Sequence, residues 1–123
     1  MIDHVSVAVR DLDAAMRFYD LLLATLGHAR LETRPATAGY GKQYPEFWIN
    51  LRSSERLSPS TGAHVCFRAR STEIVDAFHA AALAAGGQSD GEPGLRPHHG
   101  DGYYAAFIRD LDGNRIEAVT FAK

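Results

Sequence analysis

One pattern of strand, helix and glycine occurs twice along the chain, and this repeat constrains the fold more than any other feature. The first copy begins at residues 4–9, where valines take one face of a predicted strand and His4 takes the other with smaller residues. Asp11 stands where the N-cap of a helix belongs, and Gly27 ends that helix. The apolar stripe of the helix comprises Ala15, Phe18, Leu22 and Leu26.

The second copy begins at His64 and keeps the same order. A strand at 64–67 is followed by Ser71 or Thr72 as a helix cap, an apolar stripe that includes Phe78, and the glycines at 86–87. The offset aligns His64 with His4, Phe78 with Phe18 and Gly87 with Gly27. Because a repeated unit determines the whole architecture, we interpret the chain as two similar modules.

Shorter extended segments follow each helix. The first half has 29–34, the glycine-rich 39–41 and 46–52, and the second half has 103–109, a turn at 110–114 and 115–121. Each half therefore reads βαβββ, which predicts an α+β fold. We predict a single domain over 1–123, with modules at 1–52 and 63–123 and a Ser-rich linker at 53–62. The segment 86–102 is predicted to be an irregular loop able to cover a site.

Composition excludes several classes of function. The chain has 123 residues and a formal net charge of -2, with no long run of either sign, so neither nucleic acid nor a membrane is an expected partner. Cys66 is the only cysteine, which excludes an intramolecular disulfide. The longest apolar stretch, around 21–26, is too short to cross a bilayer of about 30 Å, and the first residues lack the basic region of a signal peptide. We expect a cytoplasmic protein.

Three residues could bind a metal. His4 and His64 occupy matching positions, and Glu117 lies on an apolar strand where an unpaired carboxylate is costly to bury. Two neutral imidazoles and one carboxylate suit a divalent cation. Taken alone, a strand histidine is more often a hydrogen-bonded core or rim residue than a ligand, and a strand-end glutamate is more often solvated or paired with an arginine such as Arg115. The matching positions of the two histidines, together with the acid, favour the metal.

At this point the sequence resembles the vicinal oxygen chelate superfamily of glyoxalases, fosfomycin-modifying thiol transferases, extradiol dioxygenases and bleomycin resistance proteins. The similarity rests on residues 3–7, 11–12, 18–19, 63–65 and 107–117. It implies two βαβββ modules whose sheets form an open, barrel-like cleft around a divalent metal, commonly in a homodimer. It also implies a small-molecule substrate, and makes His4, His64 and Glu117 the ligands of a zinc, nickel, manganese or iron ion.

The sequence departs from the family pattern at two positions. Aligning 48–51 with 115–118 places Asn50 where typical glyoxalases have a fourth ligand, a glutamate, so we expect a three-ligand site. Phe107 stands where the thiol transferases and dioxygenases carry a tyrosine. His98 falls near the position of a catalytic histidine in the dioxygenases.

These observations give one function and two alternatives. We expect a glyoxalase-like, metal-dependent lyase or isomerase with Glu117 and His98 as catalytic residues. An extradiol dioxygenase and a metal-independent, bleomycin-resistance-like binding protein are the alternatives. The sequence leaves open whether one chain or two chains form the site. The residues expected to bind substrate are Trp48, Asn50, Arg52, Tyr103 and Phe107.

Overall fold

The computed structural model describes residues 1–52, 57–58 and 60–122, and the predicted linker residues 53–56 and 59 lie outside that range. The two βαβββ units are present, and the second carries a short 3-10 helix, Pro97–His99, between its second and third strands. The elements of the first half are β1 (Val5–Val9), α1 (Leu12–Ala24), β2 (Ala29–Arg34), β3 (Thr37–Gly41) and β4 (Phe47–Leu51). Those of the second half are β5 (Val65–Arg68), α2 (Thr72–Ala84), β6 (Gln88–Leu95), β7 (Tyr103–Arg109) and β8 (Arg115–Phe121).

Each half forms its own four-stranded sheet. The strand orders are β1-β4-β3-β2 and β5-β8-β7-β6, so the two sheets have the same topology. The first and last strands of each half pair in parallel, and the remaining neighbours pair antiparallel. Neither sheet closes on itself. The predicted α+β class with two βαβββ modules and open sheets is confirmed.

The helices begin where the sequence predicts. The Asp11 side chain accepts a hydrogen bond from the amide of Ala14 at 3.0 Å, and Ser71, rather than Thr72, accepts one from the amide of Ile74 at 3.2 Å. Gly27 follows α1 with a φ of 81°, a left-handed conformation that favours glycine. Both helices bury their apolar stripes in one shared core.

The turn at residues 110–114 in the second half makes hydrogen bonds to the first module. α1 packs against α2, and the buried hydroxyl of Tyr19 donates to Asp110 Oδ2 at 2.5 Å. The backbone amides of Asp112 and Asn114 donate to the other Asp110 oxygen, each at 2.9 Å. Asn114 also reaches the first module, where its Nδ2 donates to the carbonyl of Ala8 at 2.9 Å.

The segment 86–102 is more regular than predicted. Residues 88–95 form β6, an edge strand paired with β7, and the irregular part is confined to residues 96–102 around the short 3-10 helix. Breaks in register between Ser89 and Gly91, and between Gly91 and Gly94, interrupt the ladder. An edge strand tolerates such bulges and also Pro93, because one side of it needs no partner. The expectation of a long covering loop was therefore wrong.

No helix in the described ranges combines the length and the apolar character that crossing a bilayer demands.

Replacing Tyr19 with Phe should weaken the junction between the modules. The change removes a buried hydrogen bond to Asp110, so we expect the free energy of unfolding to fall by about 1.5–3 kcal/mol in urea denaturation. Tyr44→Phe is the matched control, because Tyr44 is 51% exposed and should change stability by less than about 0.5 kcal/mol. Equal stability of the two variants would contradict this role for Tyr19.

Candidate functional site

Glu117 is the centre of a polar cluster on the second sheet. Its side chain is almost wholly buried although it lies on β8 among apolar residues. Oε1 of the carboxylate lies 3.0 Å from His64 Nε2, and Oε2 accepts a hydrogen bond from the Tyr103 hydroxyl at 2.5 Å. His64 immediately precedes β5 and is half exposed, so the cluster opens to solvent on the histidine side. The structure thus brings together two of the three predicted metal ligands.

Strand register explains why these groups meet. Cys66 on β5 and Phe107 on β7 both pair with Glu117, one on each side of β8. Although Cys66 is exposed as a residue, partial desolvation of its sulfur and the nearby Glu117 charge raise the pKa of the thiol to about 12. Desolvation, followed by the hydrogen bond to Glu117, raises the pKa of Tyr103. Both groups are therefore protonated at neutral pH and can act as hydrogen-bond donors.

His4 immediately precedes β1 in the first module and lines a different cavity from His64. It is exposed, its Nδ1 lies 2.7 Å from Asp3 Oδ1, and it lines a cavity of about 520 Å³ with Trp48 and Asn50. His64 lines a different, smaller cavity. Within residues 1–52, 57–58 and 60–122, no three His, Cys, Asp or Glu side chains lie close enough together to hold one metal ion. A single chain therefore does not gather the predicted ligand set.

The register of the first sheet corrects the predicted alignment of Asn50 with Glu117. Ser6 pairs with Trp48 in the same way that Cys66 pairs with Glu117, so the counterpart of Glu117 is Trp48. The indole lies over Gly39, where an added Cβ would stand 2.9 Å from the ring. Asn50 lies two residues further along and accepts a hydrogen bond from the Thr37 hydroxyl at 2.6 Å. The first module thus has an aromatic ring at the position of the acid.

The remaining predicted residues lie on β7, in the 3-10 helix and directly after β4. Phe107 lies opposite Glu117 with the Arg96 guanidinium 5.5 Å from its ring centre. His98 is exposed in the 3-10 helix, and its ring lies 4.2 Å from that of His99, which in turn lies 5.1 Å from Tyr103. Arg52 is part of neither the cavity beside His4 nor the cluster around Glu117. Its guanidinium donates to the carbonyl of Leu51.

Sequence reasoning missed Arg34 as a cavity residue. Its guanidinium lies 5.2 Å from the Trp48 ring centre, and it lines the same cavity as His4. The short turn at residues 35–36 is the feature that could have predicted this position. A two-residue turn between β2 and β3 sets Arg34 opposite Thr37. Thr37 in turn pairs with Asn50 on β4.

The chain belongs to the Glyoxalase/Bleomycin resistance protein/Dioxygenase superfamily, whose family model matches residues 1–118. This confirms the resemblance found in the sequence. A search of curated proteins gives no significant match.

Solved structures agree with this assignment. A glyoxalase/bleomycin resistance protein from Albidiferax ferrireducens is 37% identical, with 95% of each chain covered and a TM-score of 0.84. A glyoxalase/bleomycin resistance protein/dioxygenase family enzyme from Burkholderia phytofirmans is 20% identical over 98% of each chain, with a TM-score of 0.75. The fosfomycin resistance protein FosX from Listeria monocytogenes, solved as a mutant with Mn(II) and 1S,2S-dihydroxypropylphosphonic acid, is 17% identical, with 97% of this chain and 88% of that chain covered and a TM-score of 0.71.

Substituting Gly39 with Ala tests how the Trp48 indole packs against the backbone of Gly39. The new methyl group would stand 2.8 Å from Pro45 Cβ and 2.9 Å from the Trp48 ring, so one of them must move. We expect a loss of about 1–3 kcal/mol in stability and a shift in fluorescence, for which Trp48 is the only tryptophan. Gly62→Ala is the control, because nothing lies within 4 Å of its added Cβ. An unchanged Trp48 spectrum would be inconsistent with this packing.

Cys66 should react slowly with thiol reagents although it is exposed. A pKa near 12 leaves little thiolate at pH 8, and the greater nucleophilicity of that thiolate offsets only part of the loss. We expect reaction with Ellman's reagent about 30–50-fold slower than for the same protein unfolded in urea. Glu117→Gln should accelerate the native reaction, because it removes the negative charge beside the sulfur. Equal native and unfolded rates would refute this account.

Proposed function

We propose that this protein is a glyoxalase-like enzyme, of the lyase or isomerase type, that depends on a divalent metal. Its substrate is a small molecule that chelates the metal through two adjacent oxygen atoms. The observation that supports this most is the contact between His64 and the buried carboxylate of Glu117. The contact joins one of the two histidines at matching positions of the modules to the acid that lies on the apolar strand β8.

The chemistry of the donors fits a metal ion. A carboxylate that is 2% exposed loses most of its hydration, and its neighbours here include a phenol, an imidazole and the neutral thiol of Cys66. A bound cation would compensate the charge, and nitrogen and oxygen donors suit zinc, nickel, manganese or iron. When bound, such a metal supplies Lewis acidity that stabilises negative charge on a substrate enolate or alkoxide.

The protein's own groups have separate tasks around that ion. His64 and Glu117 would hold it, and the Tyr103 hydroxyl donates a hydrogen bond to the second carboxylate oxygen. Glu117 and His98 are the proposed proton-transfer residues. Glu117 belongs to the cluster, whereas His98 touches it only through His99 and Tyr103, so Glu117 is the better placed of the two.

A second copy of the chain would supply the third ligand. His4 and Trp48 belong to the first module, whereas His64 and Glu117 belong to the second, so facing sheets from two subunits would bring the groups together. We therefore propose a homodimer with each site shared between subunits. The fold neighbour FosX, crystallised with Mn(II) and a compound bearing adjacent hydroxyl groups, supports both the metal and the substrate class.

A metal-independent binding protein is the second candidate function. The cavity beside His4 has an indole wall with a guanidinium near it, and a planar ligand could bind there without using Glu117. An extradiol dioxygenase is less well supported, because Phe107 stands where those enzymes carry a tyrosine.

Metal binding tests the proposal directly. Purified protein should bind close to one Mn, Fe, Ni or Zn ion per chain in elemental analysis and calorimetry, and His64→Ala should lose that ion because it removes a direct ligand. His28→Ala serves as the control, since the His28 ring lies beside Phe67 and makes no hydrogen bond to His4, His64 or Glu117, so metal content should be unchanged. Protein that takes up none of the four metals would support the binding-protein alternative instead.

Mixing two variants distinguishes a shared site from a site within one chain. His4→Ala and Glu117→Ala should each bind no metal alone. A mixture that exchanges subunits should recover binding, because one of the two sites in a mixed dimer keeps all three ligands. Failure to recover binding despite demonstrated subunit exchange would exclude the shared site.

A further inference from the structure

We propose that Tyr103 is the positioning residue of Glu117: its hydroxyl holds Oε2, and thereby presents Oε1, on the His64 side, as the oxygen that binds the metal. This inference rests on the proposed function and goes beyond it, because it assigns separate roles to the two carboxylate oxygens. It also gives the phenol a role that does not require contact with the ion.

The hydroxyl has the geometry that this role requires. It lies 2.5 Å from Glu117 Oε2, whereas His64 Nε2 lies 3.0 Å from Oε1, so each oxygen has its own partner. Tyr103 pairs with Phe121, and Phe107 pairs with Glu117, so the phenol reaches along the face of the sheet to the carboxylate. Charge-assisted O–H hydrogen bonds of this length are among the strong ones.

The tyrosine ring is itself held in place. Phe121 meets it edge to face with ring centres 5.5 Å apart, and the His99 ring lies 5.1 Å away on a tilted plane. A donor on a fixed ring restricts rotation of the carboxylate that it contacts. Phe107, the residue directly opposite Glu117, has no group that could do this.

Outer partners of this kind commonly set the affinity of a metal site. A carboxylate that is free to rotate can offer either oxygen, or both, to a metal ion. When one oxygen accepts a hydrogen bond from a fixed donor, the carboxylate keeps a single orientation. Loss of such a partner typically lowers metal affinity by roughly 10–100-fold. The matching test compares substitutions that remove the hydroxyl alone with substitutions that remove the ring.

Manganese titrations of four proteins make that comparison. We expect Tyr103→Phe to bind Mn²⁺ about tenfold more weakly than the unmodified protein, and Tyr103→Leu to bind no more weakly than Tyr103→Phe. Tyr104→Phe is the control, because Tyr104 lies on the opposite face of the same strand and donates to Asp76 at 2.6 Å. It should bind Mn²⁺ within about twofold of the unmodified protein, since its hydroxyl is remote from Glu117. Thermal melts verify that each variant is folded.

Four outcomes bear on this inference and on the function on which it rests. Normal affinity in Tyr103→Phe combined with weak binding in Tyr103→Leu would assign the effect to ring packing and overturn the inference. A loss in Tyr104→Phe equal to that in Tyr103→Phe would overturn it as well. An unmodified protein that binds no divalent metal would overturn the proposed function and this inference together, whereas tight binding by the unmodified protein and by Tyr103→Phe overturns this inference alone.

Discussion

Parallel pairing of the first and last strands within each half determines which side chains can meet in this protein. The pairing of β5 with β8 sets Glu117 beside Cys66 and brings it within reach of His64, although 53 residues of chain separate the acid from the histidine. The same pairing of β1 with β4 sets Trp48 at the corresponding place in the first half. The two halves therefore have the same backbone arrangement but different side chains at this position. Glu117 on the second sheet corresponds to Trp48 on the first.

The burial of Glu117 is the main energetic cost of this arrangement. A carboxylate withdrawn from water without compensation costs several kcal/mol, even after the surroundings relax. The Tyr103 phenol and the His64 imidazole recover part of that cost through hydrogen bonds. Phe107 and Ile116, the neighbours of Glu117 across and along the strands, contribute nothing polar. An apolar residue would pack at the same position with less penalty, so the burial of this acid supports the binding role that we propose for it.

The repeat made the fold predictable, but it left the register of the site open. Helix caps, glycine stops and strand alternation identified both modules, because these signals are local. The alignment of Asn50 with Glu117 failed for a definite reason. Trp48 and Asn50 point to the same face of β4, so a shift of two residues leaves the alternation unchanged. Only the pairing with Ser6 distinguishes them. β6 was missed because its glycines and Pro93 mimic a loop.

Whether one chain or two complete a site depends on what holds the modules together. Bringing His4 to Glu117 within one chain would require the sheets to move relative to each other. The junction resists this movement, because it includes the buried Tyr19–Asp110 hydrogen bond and the contact from Asn114 to the first module. A buried hydrogen bond to a charged group contributes about 1.5–3 kcal/mol, so breaking the junction costs more than one such bond. A second copy presents its own first sheet without breaking any of these contacts, and this is why the shared site is the arrangement that we favour.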